Sequence, residues 1–168
     1  MITNSKMKNK YLLLFLLLSP LFINLKCKKD DTPEGYFFMC KLDGNSYRAE
    51  GGACVNCISA ALLGDTLLAI SGIRSSEIIV IGIFEKQGIK VGAYRLNNNI
   101  GRGGTYKNSF TTDDRFDTDS LRTGQLTITR LDKEKKEIEG TFYFKAYNPV
   151  QNKIVNITEG KFRINYRD

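Results

Sequence analysis

The 168-residue chain predicts an all-β fold, an antiparallel β-sandwich or β-barrel of roughly eight to ten strands. Three features carry that expectation. Apolar and polar residues alternate with period two, as in Phe142, Phe144, Ala146 and again in Phe162, Ile164, Tyr166. Turn signals such as Asp43-Gly44 and Asn148-Pro149 punctuate the pattern. No long amphipathic 3.6-residue period follows residue 35, so the elements are strands joined by turns.

In order, Lys8 and Lys10 precede an apolar run from Tyr11 to Leu25, and Lys26-Cys27-Lys28-Lys29-Asp30-Asp31 follows. A basic start and about fifteen apolar residues make a secretory leader, too short for a comfortable membrane span. The chain divides into a signal peptide at 1–26, a tether at 27–35 and one all-β domain at 36–168.

The domain opens with Tyr36–Leu42 and Asn45–Ala49 around Asp43-Gly44, a hairpin of type I′ because both central positions want positive φ. Residues 50–64 break the pattern. Their glycines mark a loop, and Ser59-Ala60-Ala61-Leu62-Leu63 suits one helical turn that Gly64 would stop. Thr66–Ile73 and Glu77–Phe84 are the next strands. The second is apolar at both parities, which predicts cover on both faces, by residues 50–64 or by a partner. An extended piece at Gly88–Leu96 precedes a polar, glycine-rich loop at Asn97–Gly104, then a strand over Tyr106–Phe110. The last third predicts strands at Gly124–Leu131, Glu137–Ala146, Lys153–Thr158 and Lys161–Tyr166.

Charge and composition narrow the function. Twenty-five basic and 18 acidic residues give +7, but four lysines precede Cys27 and no acid does, so the 142 residues from Cys27 onward carry +3. The basic excess belongs largely to the leader, and no Lys/Arg stripe with interleaved aromatics remains for nucleic acid. Histidine is absent, which excludes Ser-His and Cys-His nucleophiles, His-bearing zinc sites and imidazole switches. No catalytic residue and no cofactor is expected. Gly101-Arg102-Gly103-Gly104 lacks the phosphate-loop spacing.

Cys54-Val55-Asn56-Cys57 has the spacing of a redox dithiol, a metal half-site or a structural bridge. The βαβ setting of a redox pair is missing, and Ile58 stands where attached haem needs His. A bridge within the loop, or one linked to Cys40, suits an oxidising compartment. Cys40 shares the inward parity of Phe38 and Leu42, so a buried free thiol is its other reading. Asp113, Asp114, Asp117 and Asp119 crowd one stretch, where a metal would be sought first. They lack the calcium-loop spacing with its Gly and distal Glu, and a solvated loop fits better.

The segment ending at Cys27 resembles a bacterial lipoprotein signal, although Asn24 and Lys26 stand where such signals carry Leu and a small residue. The resemblance implies lipid on Cys27, which becomes the first residue of the mature protein. The acidic tail Asp30-Asp31 resembles tethers of Bacteroidetes lipoproteins that reach the cell surface. Leu42-Asp43-Gly44 with Tyr47, Val91-Gly92-Ala93-Tyr94, Gly124–Thr129 with Leu131-Asp132, Ile138–Phe144 and Asn156–Phe162 together resemble a family of uncharacterised Bacteroidetes lipoproteins of the domain-of-unknown-function kind. Asp65-Thr66-Leu67 and Asp119-Ser120-Leu121 resemble that group's O-glycosylation pattern, implying sugar on Thr66 or Ser120.

The expected function is a lipid-anchored binding module at the outer membrane, cell-surface or periplasm-facing, attached to the membrane through Cys27 and engaging a protein, peptide or glycan. Tyr36, Tyr47, Tyr94, Tyr106 and Tyr147 are the candidate aromatic faces. The alternative is a lipocalin-like carrier whose Ile78–Phe84 strand lines a barrel cavity for a small apolar ligand.

Overall fold

Asp43 and Gly44 take φ of 46° and 82°, the left-handed pair that a two-residue I′ turn requires. They fold β1 (Phe37–Leu42) back on β2 (Asn45–Arg48). The computed structural model describes residues 35–49, 57–109 and 114–168, all within the unit spanning residues 33–168. The segment expected to be a signal peptide, Cys27, Cys54 and Asp113 lie outside the described residues. Nine further strands follow: β3 (Ile58–Leu63), β4 (Leu67–Arg74), β5 (Glu77–Phe84), β6 (Gly92–Leu96), β7 (Arg102–Lys107), β8 (Arg115–Asp117), β9 (Gly124–Asp132), β10 (Glu137–Asn148) and β11 (Lys153–Arg167). The fold is all-β, with eleven strands among the described residues where eight to ten were expected.

The strands form two antiparallel layers. One runs β2-β1-β11-β10-β9-β6 and the other β3-β4-β5-β7-β8. They join at two corners, where Tyr166 and Arg167 of β11 pair in parallel with Ala60 and Ala61 of β3, and where Tyr147 of β10 pairs with Asp117 of β8. The sheet therefore closes on itself as a sandwich with barrel-like corners. Strand β11 serves both layers because it bends. Glu159 sits at φ 53°, at the point where the registers to β1 and to β10 both shift. An extra residue of this kind kinks and twists a strand.

Phenylalanine rings laid over glycines fill the space between the layers. The Phe38 ring of β1 rests on Gly72 of β4, and the Phe144 ring of β10 on Gly104 of β7, where a Cβ would lie only 2.8 Å from the ring. Within the first layer, Phe162 faces Gly140 and Phe142 faces Gly160 as cross-strand partners. Ile70, Ile79, Ile81 and Ile83 complete the wall, each fully buried. Burying a side chain of this size is worth about 1.5–3 kcal/mol.

Several expectations are corrected. Ser59–Leu63 belongs to strand β3, because its backbone bonds β4 along its whole length from Ile58↔Gly72 to Leu63↔Leu67, and pairing outweighs the weak helix preference of alanine and leucine. The Gly103-Gly104 stretch is strand, since the Phe144 ring and the Asn98 side chain occupy the space that side chains there would need. Arg115–Asp117, placed in a solvated loop, pairs with β7. Lys153–Arg167 is one bulged strand rather than two. The outer face of β5 is only partly covered among the described residues, with Ile78 and Val80 half-buried and Phe84 exposed.

Candidate functional site at a strand corner

Strand β11 leaves β1 after Phe37↔Arg163 and meets β3 at Tyr166↔Ala60. The gap between the two pairings opens a crevice of about 200 Å³ lined by Tyr36, Ile58, Ser59, Ala60, Ile164, Asn165 and Arg167. It continues around Arg167 into a trough of about 390 Å³ on the outer face of the second layer. Small residues on neighbouring strands, Ala61 and its cross-strand partner Ala69, form part of its lining together with Val80. Beside them runs the row Ser59, Ser71, Val80, Thr105, in which the two serine hydroxyls bond at 2.7 Å.

Polar and aromatic groups stand at the rim. Tyr36 is 52% exposed and its hydroxyl donates to Glu137 Oε1 at 3.0 Å, a bond that raises its phenol above the ordinary range. Asn165 donates to the Lys135 carbonyl at 3.0 Å. The arrangement offers one aromatic face, one guanidinium and several hydroxyl and amide groups around an apolar floor. Groups of these kinds are chemically able to stack on a flat ligand and to exchange hydrogen bonds with it.

The structure sorts the other tyrosines. Tyr47, Tyr94 and Tyr106 are buried, at 0%, 8% and 5% exposure, and pack as core residues rather than as binding faces. Each hydroxyl is used internally: Tyr47 on the carbonyls of Gly72 and Glu77, Tyr94 on the Lys90 carbonyl, and Tyr106 on Glu77 Oε1. Tyr147 is half-buried with the Arg122 guanidinium 4.2 Å above its ring. Of the five, Tyr36 alone offers an open ring. Ser59, Ser71 and Arg167 were not foreseen, since β3 went unrecognised. The dipeptide Gly64-Asp65, with φ of 56° and 59°, was the hairpin signal that would have placed them.

The strand expected to line a carrier's cavity packs into the core. Ile79, Ile81 and Ile83 of β5 face inward, are fully buried and abut side chains of the core. The aspartates are likewise committed. Asp114 accepts from Ser109 and from Gln151, Asp117 from Thr105 and Arg115, and Asp119 from the backbone of Leu121 and Arg122. Burial tends to raise the Asp119 carboxyl, but those amides and the Arg122 guanidinium hold it below the usual range. Among the described residues no three acids or cysteines gather as a metal site. Cys57 is disulfide-bonded, while Cys40 is a buried free thiol rather than a bridge partner. Burial pushes the Cys40 thiol up to about 12. Thr66 lies half-buried in the β3–β4 turn and Ser120 exposed in the β8–β9 connection.

These features define a closed β-sandwich domain with a surface crevice at one corner. The domain family of unknown function DUF6252 matches residues 37–164, nearly the whole of the folded unit, and the chain belongs to that family. No curated protein and no solved structure matches the chain.

Proposed function

We propose that the protein is a lipid-anchored envelope domain of the Bacteroidetes type, held at the outer membrane through Cys27, that binds a glycan or a peptide in the corner crevice. The observation that carries the binding role is the crevice with its adjoining trough, the first lined by Tyr36, Ser59 and Arg167 and the second by Ala61, Ala69, Ser71, Val80 and Arg167. The trough crosses β3, β4 and β5, about 10 Å from first to third strand, a width that suits a short extended segment. The reading assigns no catalysis. The chain has no histidine, and among the described residues the carboxyls with a shift, Asp119 and Asp132, are both lowered, whereas a general acid at neutral pH needs a raised one.

Mass spectrometry of protein purified from native membranes tests the anchor. Diacyl or triacyl mass on Cys27 is expected, and the same spectra report sugar on Thr66 or Ser120. Titration with envelope oligosaccharides and short peptides tests the crevice. Tyr36→Ala should weaken binding about tenfold, or about 1.4 kcal/mol, while Tyr143→Ala on the opposite layer leaves it unchanged. Equal affinities for both variants would rule the crevice out.

A further inference from the structure

Leu63, Leu67 and Phe84 face one another across β3, β4 and β5 on the outer face, 48%, 42% and 45% exposed. The Phe84 amide donates to the Gly101 carbonyl at 3.0 Å, which brings the turn carrying Ile100, 52% exposed, alongside them. Scattered apolar residues on a surface are ordinary, but a contiguous row marks a contact.

The acids that flank the row in sequence are both paired. Asp65 is paired with Lys133 at 2.7 Å and Glu85 with Arg102. Lys86 and Lys90, both exposed on the β5–β6 connection, have no acidic partner among the described residues. That connection is fixed beside the β3–β4 turn, with the Glu85 amide on the Thr66 carbonyl at 2.8 Å and the Ile89 amide on the Asp65 carbonyl at 2.7 Å. The chain enters the domain beside the crevice, at Tyr36, from which the row is within reach of the tether. Tyr36 bonds Glu137, at the base of the β9–β10 hairpin whose Lys133 grips Asp65. Eight residues separate Cys27 from Tyr36, at most about 30 Å of chain.

We propose that this end of the sandwich lies against a bilayer surface bearing anionic headgroups. Leu63, Leu67, Phe84 and Ile100 enter the interfacial layer, and Lys86 and Lys90 meet the headgroup phosphates. The inference rests on the anchored reading, in which the lipid holds the domain at the membrane and this patch sets its orientation. Ser59 and Ser71 lie four residues along β3 and β4 from Leu63 and Leu67, about 13 Å further from the membrane with the strands upright. The crevice mouth then stays open to its ligand.

The chain contains no tryptophan, so Phe84→Trp and Leu67→Trp each supply a single reporter, and Tyr143→Trp serves as the control. Protein purified from membranes is placed in vesicles of anionic phospholipid containing lipids spin-labelled near the headgroup. Both reporters should emit to the blue and be quenched several-fold more than Tyr143→Trp. Lys86→Glu and Lys90→Glu should each shift the docked ratio about fivefold toward release. Water-like emission from both reporters, with the protein still on the vesicles, overturns the proposal. So does a blue shift without lipid quenching that grows with protein density, because a second copy then covers the row. A bare Cys27 with protein released from the vesicles overturns the anchored reading and this orientation with it.

Discussion

Tyr47 shows how single residues hold the two layers together. It stands on β2, fully buried, and its hydroxyl donates to the Gly72 carbonyl at 2.9 Å and the Glu77 carbonyl at 3.1 Å in the opposite layer. Arg74 lies 4.6 Å over its ring and bonds Glu77, so one cluster binds β2, β4 and β5. Tyr47→Phe removes that donor from buried carbonyls and should cost about 1–3 kcal/mol in denaturant unfolding. Cys40 lies in the same region of the core. Its folded value, near 12, exceeds the ordinary value of 9, so the folded state keeps a proton that the unfolded chain loses first. That contribution is complete below pH 9 and is lost as pH rises from there toward 12. Cys40→Ala should flatten the fall in stability across that window, measured by urea midpoints. In the native protein at pH 8 the thiol should resist alkylation, and should react once the chain is unfolded.

Strand β11 is the element on which closure depends. Its 15 residues pair with β1, β10 and finally β3, which a straight strand cannot do. Glu159 absorbs the bend at φ 53°, a conformation that costs a residue with a Cβ about 1–2 kcal/mol. Glu159→Gly relieves that strain and loses only the exposed pair with Lys41, so equal or higher thermal stability is expected. Glu159→Val, β-branched at the same backbone position, should lower it. The two flanking segments were legible as strands from alternation, but Glu159-Gly160 looked like a break between them. The reason lies across the sheet, where the Phe142 ring fills the place of a Gly160 side chain.

At the scale of the whole molecule, the first strand pairs with the last. β1 bonds β11 across more than a hundred residues, and the second layer is inserted between them in sequence. Contacts this distant must close large loops before they stabilise anything, so refolding should take milliseconds to seconds rather than microseconds. Stopped-flow refolding followed by tyrosine fluorescence checks this, and a microsecond phase carrying the full amplitude would contradict it.

The sequence by itself determined the all-β class, the Asp43-Gly44 hairpin and the inward parity of Phe38, Phe142, Phe144, Phe162 and Ile164, because turn chemistry and period-two alternation are local properties of the chain. Only the tertiary structure decided that Ser59–Leu63 is a strand, that three of the five singled-out tyrosines are buried, and that Tyr36, Ser59, Ser71 and Arg167 line a crevice and the trough adjoining it. Those outcomes depend on which strands become neighbours across the sheet. Pairing of that kind joins residues with no local signal in common, and the crevice exists only where β11 passes from β1 to β3.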